Sequence, residues 1–289
     1  MKKSTPYLLL TPALVFTAFI LVYPLGQNFI NSLREVSMVK GTGGWVGAAN
    51  YIRVFRDPLF LLSFRNTLVY ALAGTLLALC FGLGLALLLN MKLGRITTFA
   101  SFVFAIPWVL SPVVAGFAWK WVLNDNFGIH NYWLSLAGIV KAGTSWLGDP
   151  HTALFCVILA RVWQFYPFAM VMFLAGLQAI PLEQYEAAAV DGASMIRKFF
   201  HITLPNLRSV ASVLLVLGVI WSFNDFNMVF VMTRGGPMNS SMVLPVLVRE
   251  YSFVYFDMGK GSALSMITFL LLVALSSLYI RILAERDAS

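Results

Sequence analysis

The chain is 289 residues long, with 60% of them hydrophobic and 11% charged, against roughly 25% charged in an ordinary soluble domain. So few Lys, Arg, Asp and Glu cannot cover a water-facing globule of this size, which excludes a soluble fold and makes lipid the solvent for the excess apolar surface. The net charge of +8 comes from bases scattered between apolar runs, as Lys and Arg beside an anionic leaflet are, so the expected partner is membrane lipid and not nucleic acid.

Crossing about 30 Å of hydrocarbon takes about 20 apolar residues, and a charge at the bilayer centre costs about 2.5 to 3.5 kcal/mol, so charge-free runs mark the spans. The first, residues 4–33, follows Lys2 and Lys3 and continues past Tyr23. That is longer than the core of a signal peptide, about 7 to 15 residues, and predicts an uncleaved span over 7–30. Residues 34–65 interleave Tyr51, Ile52, Val54 and Phe55 with Arg53 and Arg56, a pattern that fits a helix on the membrane surface and a packed loop equally well. Residues 66–91 predict a span over 66–90, with Gly82 and Gly84 inside it. Residues 96–119 predict one over 97–121 that is bent by Pro107 and Pro112. Residues 127–147 carry His130, Asn131, Lys141 and several glycines and predict no span; Trp119, Trp121, Trp133 and Trp146 around them suit rings at headgroup level.

Residues 152–182, interrupted only by Arg161, predict a span over 152–178. Residues 209–233 contain only Asp225 and predict a span over 209–232, and residues 261–280 predict the last, over 261–282. Cys80 and Cys156 lie inside apolar runs, which predicts packed thiols and no disulfide. Six spans put both termini on one side. The two sides hold about equal numbers of bases, so the count does not decide the orientation, and only the greater density of bases in the shorter segments favours that side as the cytoplasmic one.

The most polar segment is 181–205, PLEQYEAAAVDGASMIRKFFHITLP. A proline at a helix start followed by Glu183, Gln184 and Glu186 suits the positive end of a helix dipole. Gly192 suits a left-handed turn, and Pro205 predicts the end of a second short helix. From the residues alone, an ordinary solvated connection fits as well.

Glu186, Ala187, Ala188, then three residues, Gly192, nine residues, Ile202, one residue, Leu204 and Pro205 resemble the EAA signature of permease subunits in binding-protein-dependent ABC importers. The run LAGLQAIP at 174–181, Asp191-Gly192-Ala193, Asn224-Asp225-Phe226, TRGGP at 233–237 and the pairs Asn50-Tyr51 and Asn66-Thr67 are similar to the carbohydrate permeases of that family, so the likeness covers essentially the whole chain. It is nearest to the F-type member of maltose-like and glycerol-phosphate-like pairs, without the large periplasmic insertion of the maltose permease.

The resemblance implies a single all-α permease domain over 1–289 with six transmembrane helices, the type I ABC importer permease fold, and a cytoplasmic helix-turn-helix coupling loop at 181–205. It implies a multi-pass protein of a bacterial or archaeal cytoplasmic membrane with cytoplasmic N- and C-termini. Glu186, Ala187, Ala188, Asp191, Gly192, Ile202, Leu204 and Pro205 would couple to an ATPase. Glu186 would accept charge-assisted hydrogen bonds, and the two alanines would allow close approach. The implied partners are a second homologous permease, two ATPase subunits and a substrate-binding protein. ATP and Mg2+ belong to the ATPases; this chain binds no cofactor and is no enzyme. Its nearest fragment to a phosphate-binding loop, Gly259-Lys260-Gly261-Ser262, lacks both the upstream glycine and the hydroxyl directly after lysine.

Trp221, Asn224, Asp225 and Met228 fall at i, i+3, i+4 and i+7 of the fifth span, with Asn227 near the edge, which suits ligand contact and interhelical bonding equally. Arg161, Gln164, Phe165 and Phe168 form a stripe on the fourth span with Trp163 beside it. Arg161 either pairs with Asp225 or reaches the interface. Ser262, Ser265 and Phe269 on the sixth span suit packing better than ligand contact. His130, His151 and His201 have no metal spacing and no nucleophile elbow occurs. The expected cargo is a carbohydrate, with a polyol or glycerol phosphate as the alternative. A stand-alone secondary transporter would leave the EAA-like segment without a purpose, and a membrane enzyme would need a cluster of acids or histidines that the sequence lacks.

Overall fold

A computed structural model describes residues 5–91, 95–141 and 143–287. In chain order its elements are α1 (Thr5–Ser32), β1 (Arg34–Ser37), β2 (Gly41–Trp45), α2 (Ala49–Phe55), α3 (Pro58–Leu89), α4 (Arg95–Val109), α5 (Pro112–Val122), α6 (Ile129–Leu136), α7 (Ala153–Gln178), α8 (Leu182–Val190), α9 (Met195–Lys198), a π-helical turn (Phe199–Thr203), α10 (Leu204–Phe223), α11 (Asn227–Met232), α12 (Leu244–Arg249), a second π-helical turn (Glu250–Val254) and α13 (Met258–Asp287). Among the described residues five helices are long and apolar enough to cross a membrane, and six if α4 and α5 count as one span.

The chain divides into two compact units, one of residues 1–61 and 247–278, the other of 62–246 and 279–289. In the first, β1 and β2 form an antiparallel hairpin pairing Arg34 with Trp45 and Ser37 with Gly41. The segment with mixed signals at 51–56 becomes α2, which is both a packed and a surface element: Asn50 and Val54 are buried while Ile52 and Phe55 face out. Asn50 donates to the carbonyls of Ser32 and Arg34 (2.9 and 2.8 Å). Asp57 caps the start of α3 through the Leu59 N–H (2.9 Å), accepts from the Tyr251 hydroxyl (2.8 Å) and pairs with Lys260, and Arg53 pairs with Asp257.

The second unit has its core where α3, α7 and α10 meet, in Leu79, Phe165, Tyr166, Met170, Phe173, Leu177, Leu207 and Leu214. Small residues bring these helices together, since packing and not water drives association inside lipid. A Cβ on Gly82 would lie 2.9 Å from both Ala169 Cβ and Met170 N.

Four expectations change. The second span starts at Pro58 rather than 66, because Arg65 lies in the first turns of a helix already begun by the Asp57 cap, and a charge near a helix end does not stop the helix. The span placed at 97–121 is broken, its halves bent by 98°. Pro112 drives Ser111 into extended backbone (φ −62°, ψ 147°), and Ser111 then caps α5 through the Val114 N–H (3.3 Å). Pro205 does not end a helix. The chain runs helically from Met195 to Phe223, and the turn just before Pro205 is widened to π-helical spacing, with the Leu204 N–H donating to the Phe199 carbonyl, so that proline, which has no N–H to offer, falls in the first turn of α10. The span placed at 209–232 stops at Phe223 and resumes as α11, so Trp221, Asn224, Asp225 and Met228 do not share one continuous helix face.

Candidate functional site

The break between α4 and α5 and the break between α10 and α11 both open onto one cavity of about 340 Å3. Trp108, Leu110 and Pro112 come from the first break, Arg161, Gln164 and Phe165 from α7, and Trp221, Asn224, Asp225 and Asn227 from the second. Each break leaves backbone groups without helical partners, and the polar side chains of the cavity answer them. Gln164 Nε2 donates to the Leu110 carbonyl (3.2 Å), Asn224 Nδ2 donates to the Ile220 carbonyl (3.0 Å), and Asp225 Oδ1 accepts from the Met228 N–H at the start of α11 (3.2 Å).

Asp225 Oδ2 accepts from the Tyr70 hydroxyl (2.6 Å). Tyr70 belongs to a polar stripe on α3 that holds the returning chain: Asn66 donates to the carbonyls of Ser240 and Met242 (3.0 and 3.1 Å), and Thr67 Oγ1 accepts from the Leu244 N–H (2.9 Å). Arg161 neither pairs with Asp225 nor reaches out to the interface. It is 7% exposed, its Nε donates to Ser222 Oγ (3.4 Å) and its guanidinium lies 4.8 Å from the Phe165 ring centre. Arg161 Nη2 and Gln164 Oε1 are buried without hydrogen-bond partners. The aromatic wall is continuous: Trp221 meets Phe165 and Phe168 at 5.9 and 5.4 Å between ring centres, and Trp108 meets Phe168 at 5.2 Å.

Of the residues expected along a path, Gln164, Trp221, Asn224, Asp225 and Asn227 are gathered here. Trp163 instead stacks edge-on against Trp119 (6.0 Å), and Ser265 donates to the Gly261 carbonyl of its own helix (3.1 Å). Trp108, Leu110 and Pro112 were not expected. Their signal was the Ser-Pro step at 111–112, which predicts a broken helix more readily than a bent one. Tyr70 was legible only as a polar ring in an apolar span, one turn after Asn66.

A second polar region lies at 181–205. Glu183 sits in the first turn of α8, Gly192 adopts φ +71°, and the Ala193 N–H reaches back to the Ala188 carbonyl (2.9 Å), a left-handed helix end. Ser194 caps α9 through the Arg197 N–H (3.3 Å). Tyr185 and Thr203 share a hydroxyl hydrogen bond (2.9 Å), and Asn206 donates to Gln184 (3.1 Å), so α8 is fastened to the start of α10. Leu182, Glu186, Ala187, Val190, Asp191, Met195, Ile196, Leu204 and Pro205 are exposed, and Ala188 and Ile202 half-buried.

Residues 78–286 match the protein family described as binding-protein-dependent transport system inner membrane component. The sulfoquinovosyl glycerol transport system permease protein SmoG of Agrobacterium fabrum is 35% identical over 281 residues, covering 97% of this chain and 90% of the relative. The trehalose/maltose transport system permease protein MalF of Thermococcus litoralis is 35% identical over 278 residues, covering 96% and 92%. Among solved structures, a chain of a bacterial ABC transporter involved in import of the acidic polysaccharide alginate superposes with a TM-score of 0.81 at 20% identity, covering 96% of this chain and 95% of the other. That likeness speaks for the fold.

Proposed function

The chain belongs to the binding-protein-dependent transport system inner membrane component family, and we propose that it forms part of the path by which an ATP-driven importer carries a carbohydrate across a bacterial or archaeal cytoplasmic membrane. A binding protein delivers the cargo, a second permease completes the path, and two ATPase subunits hydrolyse ATP with Mg2+ on the cytoplasmic side, where both termini lie. The observation that carries this reading is the cavity itself. It joins aromatic faces (Trp108, Phe165, Trp221), suited to the C–H surface of a sugar ring, to amide groups of Asn224 and Asn227, suited to its hydroxyls.

Residues 181–205 supply the coupling. The ATPase cleft receives α8 along Glu186, Ala187 and Ala188, with Asp191 and the Gly192 turn setting its exit and Ile202, Leu204 and Pro205 its root. Since α8 is fastened to α10 by the Tyr185–Thr203 and Asn206–Gln184 hydrogen bonds, a displacement of the loop moves the root of a helical run from Met195 to Phe223, 29 residues, about 40 Å at about 1.5 Å per residue. Its far end carries Trp221. One rigid rod therefore links ATPase closure to the cavity wall.

The test is to purify the chain from its native membranes, identify what co-purifies, and measure ATP hydrolysis with sugar-loaded binding protein. An ATPase and a second permease with sugar-dependent stimulation are expected. A single-component preparation that moves solute without ATP would overturn the proposal.

A further inference from the structure

The short helix α6 turns its apolar side outward. Ile129, Tyr132, Trp133 and Leu136 stand at i, i+3, i+4 and i+7, one face of the helix, and are 52%, 61%, 61% and 68% exposed. The opposite face is locked to its own loop. Asn131, buried, donates to the carbonyls of Asp125 and Thr144 (3.2 and 2.7 Å) and accepts from Trp146 Nε1 (2.6 Å), and the His130 ring packs on Trp146 at 5.1 Å. A helix on a water-facing protein has these faces the other way round. The orientation is imposed by a saturated side-chain network, so the apolar stripe cannot roll inward without breaking those bonds.

The stripe continues the outward surface of its neighbours. On α5, half of the broken candidate span, Val114, Phe117 and Trp121 are exposed, and Phe127 carries the apolar surface across the connection to α6. Trp121, Phe127, Ile129 and Tyr132, together with Asp125 and Ser135, line a groove of about 510 Å3, so that apolar and polar side chains both border it. At eight residues, about 12 Å long, α6 is far too short to cross about 30 Å of hydrocarbon. It contains no charged residue, and its Tyr and Trp are the side chains that favour the boundary between headgroups and acyl chains.

We infer that α6 is an interfacial anchor. Its Ile129–Tyr132–Trp133–Leu136 face is seated in the bilayer at the boundary between headgroups and acyl chains, parallel to the membrane plane, with a bilayer phospholipid in the adjoining groove. The occupant is lipid and not protein because the face is continuous with the outward apolar surface of a membrane helix and ends in interfacial aromatics. The sequence pointed to headgroup-level tryptophans here, and the structure sorts them: Trp121 and Trp133 face out, whereas Trp119 and Trp146 are engaged with protein.

The test uses the full chain with its co-purifying partners in phosphatidylcholine vesicles, with Cys80 and Cys156 replaced by Ala. Nitroxide labels at positions 133, 136 and, for comparison, 141, an exposed lysine outside the groove lining, are read by collision with oxygen and with a water-soluble nickel chelate. Labels at 133 and 136 are expected to favour oxygen, at a depth of about 5 to 10 Å, while the label at 141 favours nickel. In the unlabelled chain, quenching of tryptophan fluorescence by brominated phosphatidylcholine should fall in Trp133→Phe. Nickel-dominated relaxation at 133 and 136 would mean a water-facing helix, and protection from both reagents would mean a protein partner. Either result, or quenching unchanged in Trp133→Phe, overturns the inference.

Discussion

Gly218 is the point at which helix packing and the cavity can be perturbed together. A Cβ added there would lie 2.5 Å from Thr75 Cγ2 and 2.9 Å from both Thr75 Oγ1 and Phe165 Cε1, whereas a Cβ on Gly84 would meet nothing within 4 Å. Both glycines are within long helices, so Gly→Ala gains roughly 0.5 to 1 kcal/mol of backbone stability at either site. The difference between the two variants therefore isolates the clash, worth about 1 to 3 kcal/mol for one added carbon in a packed core. Gly84→Ala is expected to be neutral or slightly stabilising and Gly218→Ala destabilising relative to it. Thr75→Ala should relieve most of the cost, because it removes both close atoms together with a buried hydroxyl that has no partner, and the Phe165 contact should keep the relief incomplete. Cys80, expected as a packed thiol, is exposed, so the readout is thermal unfolding of the purified protein in a Cys80→Ala background followed by a thiol-reactive dye, since Cys156 is buried and becomes reactive on unfolding. With about 2 to 4 °C per kcal/mol for a domain of roughly this size, a gap of several degrees between Gly218→Ala and Gly84→Ala is expected. Equal melting of the two, or a Gly218→Ala/Thr75→Ala double variant no better than the sum of its singles, would refute the packing argument.

Tyr70→Phe removes the donor to Asp225, a hydrogen bond to a charged group worth about 1.5 to 3 kcal/mol. It should lower the melting temperature and substrate-stimulated ATP hydrolysis together, whereas Tyr251→Phe should affect melting alone. Glu186→Ala and Gly192→Val are expected to leave membrane insertion intact and abolish uptake. The valine at a φ of +71° costs about 1 to 2 kcal/mol of local strain, and normal uptake with the ATPase still bound in both variants would count against the coupling role. For the Asp57 cluster, burial acts to raise the carboxyl, but Lys260, the Leu59 N–H and the Tyr251 hydroxyl outweigh it and hold Asp57 below its ordinary value. Burial and the Asp57 hydrogen bond together raise the Tyr251 hydroxyl. A depressed carboxyl stabilises the fold fully above its unfolded value of about 3.9 and ceases to as pH falls through the folded value. Stability of the wild type should therefore drop in that acid limb, and Asp57→Asn should flatten this component.

The outline of the site was legible because its parts are short-range. Asn224, Asp225 and Asn227 stand out as polar residues in an apolar run, and Gln164 and Arg161 as the polar members of another. The partners of those residues were not legible. Asp225 takes its hydroxyl from Tyr70, 155 positions away, and Arg161 lies on Phe165 and Ser222 rather than against Asp225. Periodicity also misled at 221–228, where helical spacing across an unnoticed break put four residues on a face that does not exist.

Composition and run length alone determined that this is a multi-span helical membrane protein, because a bilayer demands a fixed length of apolar chain and backbone hydrogen bonds closed within each segment. They also located the polar loop at 181–205. Only the tertiary structure decided where the helices break, that the chain passes Pro205 through a π-helical turn, and that two separate breaks share one cavity. A helix propagates through bonds four residues apart, but a break persists only where distant side chains satisfy the backbone groups it frees. Here Gln164 at Leu110 and Tyr70 beside Asp225 supply that support.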